Sequence, residues 1–321
     1  MEGLNEKLIK VAVLGVGGCG GNVLVNVYEQ LKALDLPVEF SLLNTDVQAL
    51  NFACGLGFPK ERIFQIGERS TGGLGAGSNF EVGKAAAQED IELLRRLISG
   101  KDLVIVVAGL GGGTGSGAVP VVLKEAKDAN ALTLSWFITP LEYEGYKRNE
   151  IAKKTIKEAD GLADSYMVIS NDAPESLIFK DSMEEINTAI SLGIQIVLEV
   201  LMRSSLINLD FADFTTVVKN GGRALFSFAS YDGEKRDEKS VKEILKMSLQ
   251  PQTSLKKIQK SILFVRGGAD MKKDELKNVM TSVQKRLADD ALVILGVAMR
   301  EGKQSLDIVF LGTVGSKEEK T

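Results

Sequence analysis

Seven residues, Gly111-Gly112-Gly113-Thr114-Gly115-Ser116-Gly117, combine five glycines with two hydroxyls. The apolar run Leu103 to Ala108 precedes them and Ala118-Val119-Pro120-Val121-Val122-Leu123 follows, a pattern of buried strand, loop and helix. Bare backbone N–H groups and the positive end of a helix then face one space. That is anion-binding chemistry, and the anion it suits best is a nucleotide phosphate. A flexible linker has the same composition, but linkers are rarely set between a buried strand and a helix.

Gly15, Gly17 and Gly20 add a G-x-G-x-x-G spacing after the first apolar run. Alone it reads as a dinucleotide turn, with Asp46 either the acid that holds a ribose or a local turn cap. An NAD-dependent dehydrogenase is the enzyme alternative at this point. A third glycine-rich loop, Thr71 to Asn79, weakens it, because a triphosphate has enough oxygens to use all three loops. Neither glycine run ends in Gly-Lys-Ser or Gly-Lys-Thr, so this is not a P-loop. Amide dipoles, helix ends, hydroxyls and a hydrated cation must handle the charge.

The chain contains no histidine, which excludes imidazole triads, histidine bases and histidine zinc sites. Two cysteines give no disulfide framework and fit a reducing cytoplasm. The net charge of -4, without a basic tract, predicts no direct nucleic-acid binding. No apolar run reads as a transmembrane segment, and Met1 to Lys10 lacks the apolar core of a signal peptide.

Apolar runs predict strands at 9–16, 38–43, 63–66, 103–108, 133–138 and 167–170. Helices are expected at 22–33, around 81–90, from 118 and over 150–159. This alternation predicts an α/β, mostly parallel, Rossmann-like domain over residues 1–180 with its ligand at the strands' carboxyl ends. The stretch 182–202 is apolar on more than one side and reads as a buried connecting helix, assigned to 181–203. Strands at 223–229, 261–266, 291–296 and 305–311, with helices at 240–249 and 273–287, predict a smaller α+β domain over 204–316. A charged tail, 317–321, closes the chain.

Together these segments resemble the tubulin/FtsZ superfamily, and within it the prokaryotic cell-division GTPases. The supporting stretches are Gly15 to Asn22, Asn44-Thr45-Asp46, Gly73 to Asn79, Gly111 to Gly117, Glu144 to Arg148 and Asn208 to Asp213, in the family's order. The resemblance covers residues 9 to 313 and implies a GTP/GDP site. Gly18, Cys19, Gly20, Gly21 and Asn22 fall on the first phosphate loop. Asp46 joins the site beside them. Gly112, Gly113, Thr114, Gly115, Ser116 and Gly117 form the central cradle, and Ala76, Gly77 and Asn79 answer the γ-phosphate. Glu144 would hold the ribose, Arg148 would neutralise phosphate, and Asn171 and Asn187 would read guanine. Met183 stands where the family often stacks a phenylalanine on the base. Cys19 replaces a glycine, and its side chain is expected to point away from phosphate.

The same resemblance implies head-to-tail self-association, with Asn208, Asp210 and Asp213 completing the GTP site of the neighbouring subunit. Without a histidine, Asp213 would orient attacking water, Asp210 would position water or a cation, and Asn208 would add a polar contact. Read locally, Asp210 and Asp213 simply cap a helix. Mg²⁺ is expected through phosphate and water rather than a protein-made cage, with a monovalent cation near the catalytic loop. Arg203-Ser204-Ser205 departs from the Arg-Pro-Gly common in the family. Membrane-tethering adaptors are implied partners, though no linker or adaptor peptide follows the last strand, as in a trimmed or tail-less relative. The expected place is the cytoplasm, at the division site or in filaments. The alternative is a filament for cell shape or DNA positioning, with hydrolysis secondary.

Overall fold

The computed structural model describes residues 9–32, 36–172, 179–202, 206–246, 250, 254–300, 302 and 304–315, with the side chains of 179–183 left out. The first strands are β1 (Val11–Val16), β2 (Val38–Asn44), β3 (Ile63–Gln65), β4 (Leu103–Gly109), β5 (Leu132–Thr139) and β6 (Ser165–Ser170). They pair in parallel in the order β3-β2-β1-β4-β5-β6. The order reverses direction between β1 and β4, and such a switch point opens a crevice at the strands' carboxyl ends.

Alternation explains why the central strands read as unbroken apolar runs. Leu103, Ile105 and Val107 enter the core on one face, while Val104, Val106 and Ala108 enter the core on the other. The helices of this half are α1 (Gly17–Leu31), α2 (Val47–Gly55), α3 (Glu68–Thr71), α4 (Phe80–Glu89), α5 (Ile91–Ile98), α6 (Thr114–Asp128) and α7 (Tyr146–Ala159). Pro120 lies inside α6 and cannot donate to the Ser116 carbonyl one turn back. The Thr155 hydroxyl of α7 donates to that carbonyl instead, at 3.3 Å.

Two starts differ from expectation. α1 begins at Gly17 and α6 at Thr114, so residues expected to form turns are the first turns of helices. The short helices α2 and α3 were not expected.

α8 (Phe179–Met202) follows, then α9 (Phe211–Val218), α10 (Arg236–Ile244) and α11 (Lys273–Gln284) among strands β7 (Gly222–Tyr231), β8 (Lys260–Gly267), β9 (Leu292–Met299) and β10 (Leu306–Thr313). β7 continues the first sheet through two parallel pairs, Ser165 with Gly222 and Tyr166 with Arg223. Beyond it the order β7-β10-β8-β9 is antiparallel until the β8–β9 pair. α10 and α11 cover one face of this part through Val241, Ile244, Val279 and Val283.

Glu184–Met202 is 19 residues with a mean hydropathy of 1.4, long and apolar enough by composition to cross a membrane. Half of it is buried: Ile186, Ile190, Ile194 and Leu198 join one core with α1, α9 and the inner face of both sheet parts. Burying each such side chain contributes about 1.5–3 kcal/mol, which seats the helix between the two halves.

Candidate functional site

The crevice at the switch point is a cavity of about 240 Å³ lined by Gly17, Gly18 and Cys19 after β1, by Gly109 at the end of β4 with Leu110 and Gly112 to Gly115 beyond it, by Ile138, Thr139 and Pro140 at the end of β5, and by Glu144, Arg148 and Asn171. α1 and α6 both start here, 15 residues long each, with no acidic residue in the first turn and no side-chain cap. A Cβ placed on Gly17 would lie 3.0 Å from the Gly115 amide nitrogen, so the two N-termini converge. Their unpaired N–H groups and positive dipole ends make the cavity an anion cradle.

The loop signature divides into parts with different jobs. Gly112, Gly113, Thr114 and Gly115 line the cavity. Ser116 does not: it is fully buried, and its hydroxyl accepts from the Gly111 amide at 2.8 Å, stapling the loop from inside. Gly117 is buried against α4, where a Cβ would lie 2.2 Å from the Phe80 carbonyl oxygen. The first loop divides likewise. Gly18 and Cys19 face the cavity, whereas Gly20 approaches β4 so closely that a Cβ would meet the Val107 oxygen at 2.2 Å. Gly21 packs on Leu42 and Asn22 is exposed one turn into α1. Ser116, Gly117, Gly20 and Gly21 thus shape the cradle from behind the residues that line it.

Cys19 is among the lining residues, and its side chain packs over Gly109, where a Cβ would lie 2.9 Å from its sulfur. Burial, with a smaller effect of the Glu144 charge, pushes its thiol up to about 12. Cys54 is exposed. Iodoacetamide at pH 8 should therefore alkylate Cys54 at least about 10²-fold faster than Cys19, read by mass spectrometry of the peptides. Equal labelling would contradict the packing over Gly109.

Thr45 is the residue that sequence reasoning left without a role. It is fully buried at the end of β2, and its hydroxyl pairs with that of Thr114 at 2.6 Å. Its carbonyl accepts from the Gly75 amide at 3.3 Å, so one residue links the cradle to the 71–79 loop. Asp46 takes the local reading: it caps α2, accepting from Gln48 and Ala49 at 2.8 and 3.4 Å. Asn79 likewise caps α4, accepting from Glu81 at 3.0 Å. Ala76 is buried beside Gly113, and Gly77 is exposed.

Glu144 and Arg148 form an ion pair on the cavity wall. The second Glu144 oxygen accepts from the Leu141 amide at 2.9 Å. Across the cavity, the side-chain oxygen of Asn171 is buried with no hydrogen-bond partner among the described residues. An orphaned acceptor of this kind carries a desolvation cost that a ligand N–H removes. Asn187 is half-buried on α8 and is not among the lining residues. The Met183 side chain and Arg203-Ser204-Ser205 lie outside the described residues.

Asn208, Asp210 and Asp213 do not line the cavity. Asp210 and Asp213 form a reciprocal capping box at α9: the Asp213 amide donates to Asp210 at 2.8 Å and the Asp210 amide donates to Asp213 at 3.3 Å. Asp210 and Asn208 are exposed. Just before them, Ile207 and Val297 of β9 exchange two backbone hydrogen bonds of 3.0 Å.

Comparison with known proteins places this architecture. Residues 10–178 match the Tubulin/FtsZ family GTPase domain and residues 222–311 the FtsZ family C-terminal domain. The cell division protein FtsZ of Buchnera aphidicola (from Schizaphis graminum) is 34% identical over 301 residues, spanning 92% of this chain and 76% of its own length. The FtsZ of Aquifex aeolicus is 31% identical over 317 residues, 97% of this chain and 84% of its own length. Among solved structures, an empty FtsZ dimer from M. jannaschii superposes with a TM-score of 0.85 at 28% identity, covering 96% of this chain and 89% of its own. A GTPγS-bound protofilament of CetZ2 from Haloferax volcanii shares the fold at 20% identity, with a TM-score of 0.80 and coverage of 97% and 96%. Matched across both halves, the chain belongs to the FtsZ family of tubulin-like GTPases.

Proposed function

We propose that this chain binds GTP at the β1–β4 switch point, assembles head to tail, and hydrolyses GTP where assembly brings Asp210 and Asp213 of one subunit to the nucleotide of the next. Within the cytoplasm it would serve cell division as a ring-forming filament, tethered to membrane by adaptor proteins. One observation carries the reading: two uncapped helix N-termini converge on a cavity whose wall holds an Asn171 oxygen without a partner among the described residues, while the family's catalytic aspartates lie outside it.

The phosphates would lie against the amides of Gly18, Cys19 and Gly112 to Gly115. Thr114, held by Thr45, fixes its hydroxyl at the same surface. Mg²⁺ would reach the site through phosphate oxygens and waters and offset charge that a lysine-free cradle leaves over. Ala76 and Gly77 would sense the γ-phosphate, with Asp46 and Asn79 fastening the ends of their loop. Glu144 would meet the ribose, and Arg148, already its partner, would add positive charge beside the phosphates. Asp210 and Asp213 of the neighbour would position water, the step on which phosphoryl transfer depends.

GTP turnover measured against protein concentration tests the split site. The rate per subunit should rise from near zero past a threshold, and GTP but not GDP should sustain pelletable filaments. A rate per subunit that stays constant on dilution sinks the shared site. At the base, Asn171→Ala should weaken GDP binding about 3–10-fold, the worth of one neutral hydrogen bond, in a fluorescent-nucleotide titration. Unchanged affinity would remove Asn171 from base recognition.

A further inference from the structure

A buried ionic chain ties the end of α8 to the C-terminal strands. Glu199 accepts from Arg266 of β8 at 2.9 Å, and Gln195, one turn back, donates to its other oxygen at 2.9 Å. Arg266 turns its Nε and Nη2 to Asp307 of β10, at 2.9 and 2.8 Å. Asp307 also accepts from Ser230 of β7 at 2.6 Å and from Ser305 at 3.1 Å. The Asp307, Glu199 and Arg266 side chains are only 5%, 15% and 20% exposed. Burial alone would raise the Asp307 carboxyl, but hydrogen bonds from Ser230 and Arg266 hold it below the usual aspartate range.

The register of β8 and β9 shows what this chain adjoins. Val265 pairs with Val297 and Arg266 with Ala298. Val297 is the residue whose backbone holds Ile207, next to the segment carrying Asp210 and Asp213. The two ties on the connection between α8 and α9, Glu199 before it and Ile207 within it, thus land on one patch of the β8–β9 ribbon.

We propose that Arg266 is a positioning residue for GTP hydrolysis, the pivot between Glu199 and Asp307 that fixes where α8 delivers the Asp210–Asp213 loop to the neighbouring subunit. This rests on the split-site reading above. An apolar contact tolerates sliding, whereas a guanidinium fork shared by two carboxylates does not. A slip of one helical residue, about 1.5 Å, takes Glu199 out of its bond. Registry of this kind is the best-attested use of a buried ion pair, whose net contribution to stability is often small.

The test separates registry from stability. Arg266→Met alone leaves two buried carboxylates uncompensated. The triple variant Glu199→Gln, Arg266→Met, Asp307→Asn removes all three charges. It should melt close to the wild type, bind GTP with unchanged affinity below the assembly threshold and still pellet with GTP. Its turnover per assembled subunit, the slope above the threshold, should nevertheless fall about tenfold. Arg266→Lys, which keeps the charge but not the two-way fork, should lower the slope about threefold with the fold intact. The lone tryptophan gives a second readout. Trp136 contacts Phe226 edge-on at 6.4 Å, and Phe226 packs beneath Gly193 of α8, so a displaced helix shifts Trp136 emission in the triple variant. A triple variant with wild-type slope and emission would overturn the pivot. Wild-type turnover independent of concentration would instead sink the split site, and the pivot with it.

Discussion

Asp213→Asn is expected to hydrolyse GTP about 10²-fold more slowly than the wild-type chain while binding it with unchanged affinity, if the shared site proposed above holds. The size follows from what the carboxylate is asked to do: positioning the attacking water is a large share of phosphoryl-transfer catalysis, and losing that placement costs about this factor. Asparagine is the informative substitution because Asp213 also belongs to the α9 capping box. The Asp213 amide still donates to Asp210, and the new side-chain oxygen still accepts from the Asp210 amide, so the helix start survives. Asp213→Ala should show the same loss of turnover with a small added cost in stability, on the order of 0.5–1 kcal/mol. Mixing each variant with wild-type chain separates the roles further. A mixed filament should lose turnover in proportion to the variant fraction if, as proposed, each subunit lends its loop to one neighbour. Single-turnover rates and a fluorescent-nucleotide titration check both halves, and a variant with normal turnover would remove Asp213 from catalysis.

Gly83→Ala, a single methyl, is expected to lower thermal stability and weaken GTP binding about 10–100-fold. A Cβ at Gly83 would lie 2.0 Å from the Gly113 carbonyl oxygen and 3.2 Å from the Thr114 Cα. Both neighbours are backbone, so no rotamer change relieves the clash. The Gly117 contact with the Phe80 carbonyl closes the same crossing from the other helix. α4 must therefore move off α6, and Gly113 and Thr114, which line the cavity, must move with it. Overpacking of this kind costs about 1–3 kcal/mol, and a shift of that size in the cradle's favoured position gives the binding loss. Differential scanning calorimetry and nucleotide titration measure the two effects, and an unperturbed Gly83→Ala chain would refute the close crossing.

Gly83 also marks where the sequence stops being legible. Strands β1 and β4 are visible because both faces are covered, so nearly every residue in them is apolar. The glycine-lined cavity was readable because glycine loops at strand ends have few other uses. What a row of letters does not separate is a glycine that faces a ligand from one that admits a neighbouring backbone. Gly112 and Gly117 look alike in the sequence, yet one lines the cavity and the other is pressed against α4. The start of α1 was placed late for the same reason: Gly20 and Gly21 suggest a turn, but their contacts with Val107 and Leu42 hold them in the helix. α2 escaped because its large apolar residues do not all face the core: Phe52 within it and Leu56 at its C-cap are 64% and 49% accessible, so no clean apolar stripe announces it. Thr45 needed the third dimension, since its partner Thr114 lies 69 positions away.

The capping box at Asp210 and Asp213 has a kinetic meaning as well. Both carboxylates already occupy fixed rotamers before any neighbour arrives, each held by the other's amide. Ordering such side chains on contact would cost about 0.5–1.5 kcal/mol apiece, and here the cost is met during folding. On the proposed shared site, a subunit docking on a filament end would need only the right orientation, with no later search by these two side chains. Under that proposal hydrolysis would follow each addition without a lag, and the nucleotide retained in a filament would become a record of how recently each subunit joined.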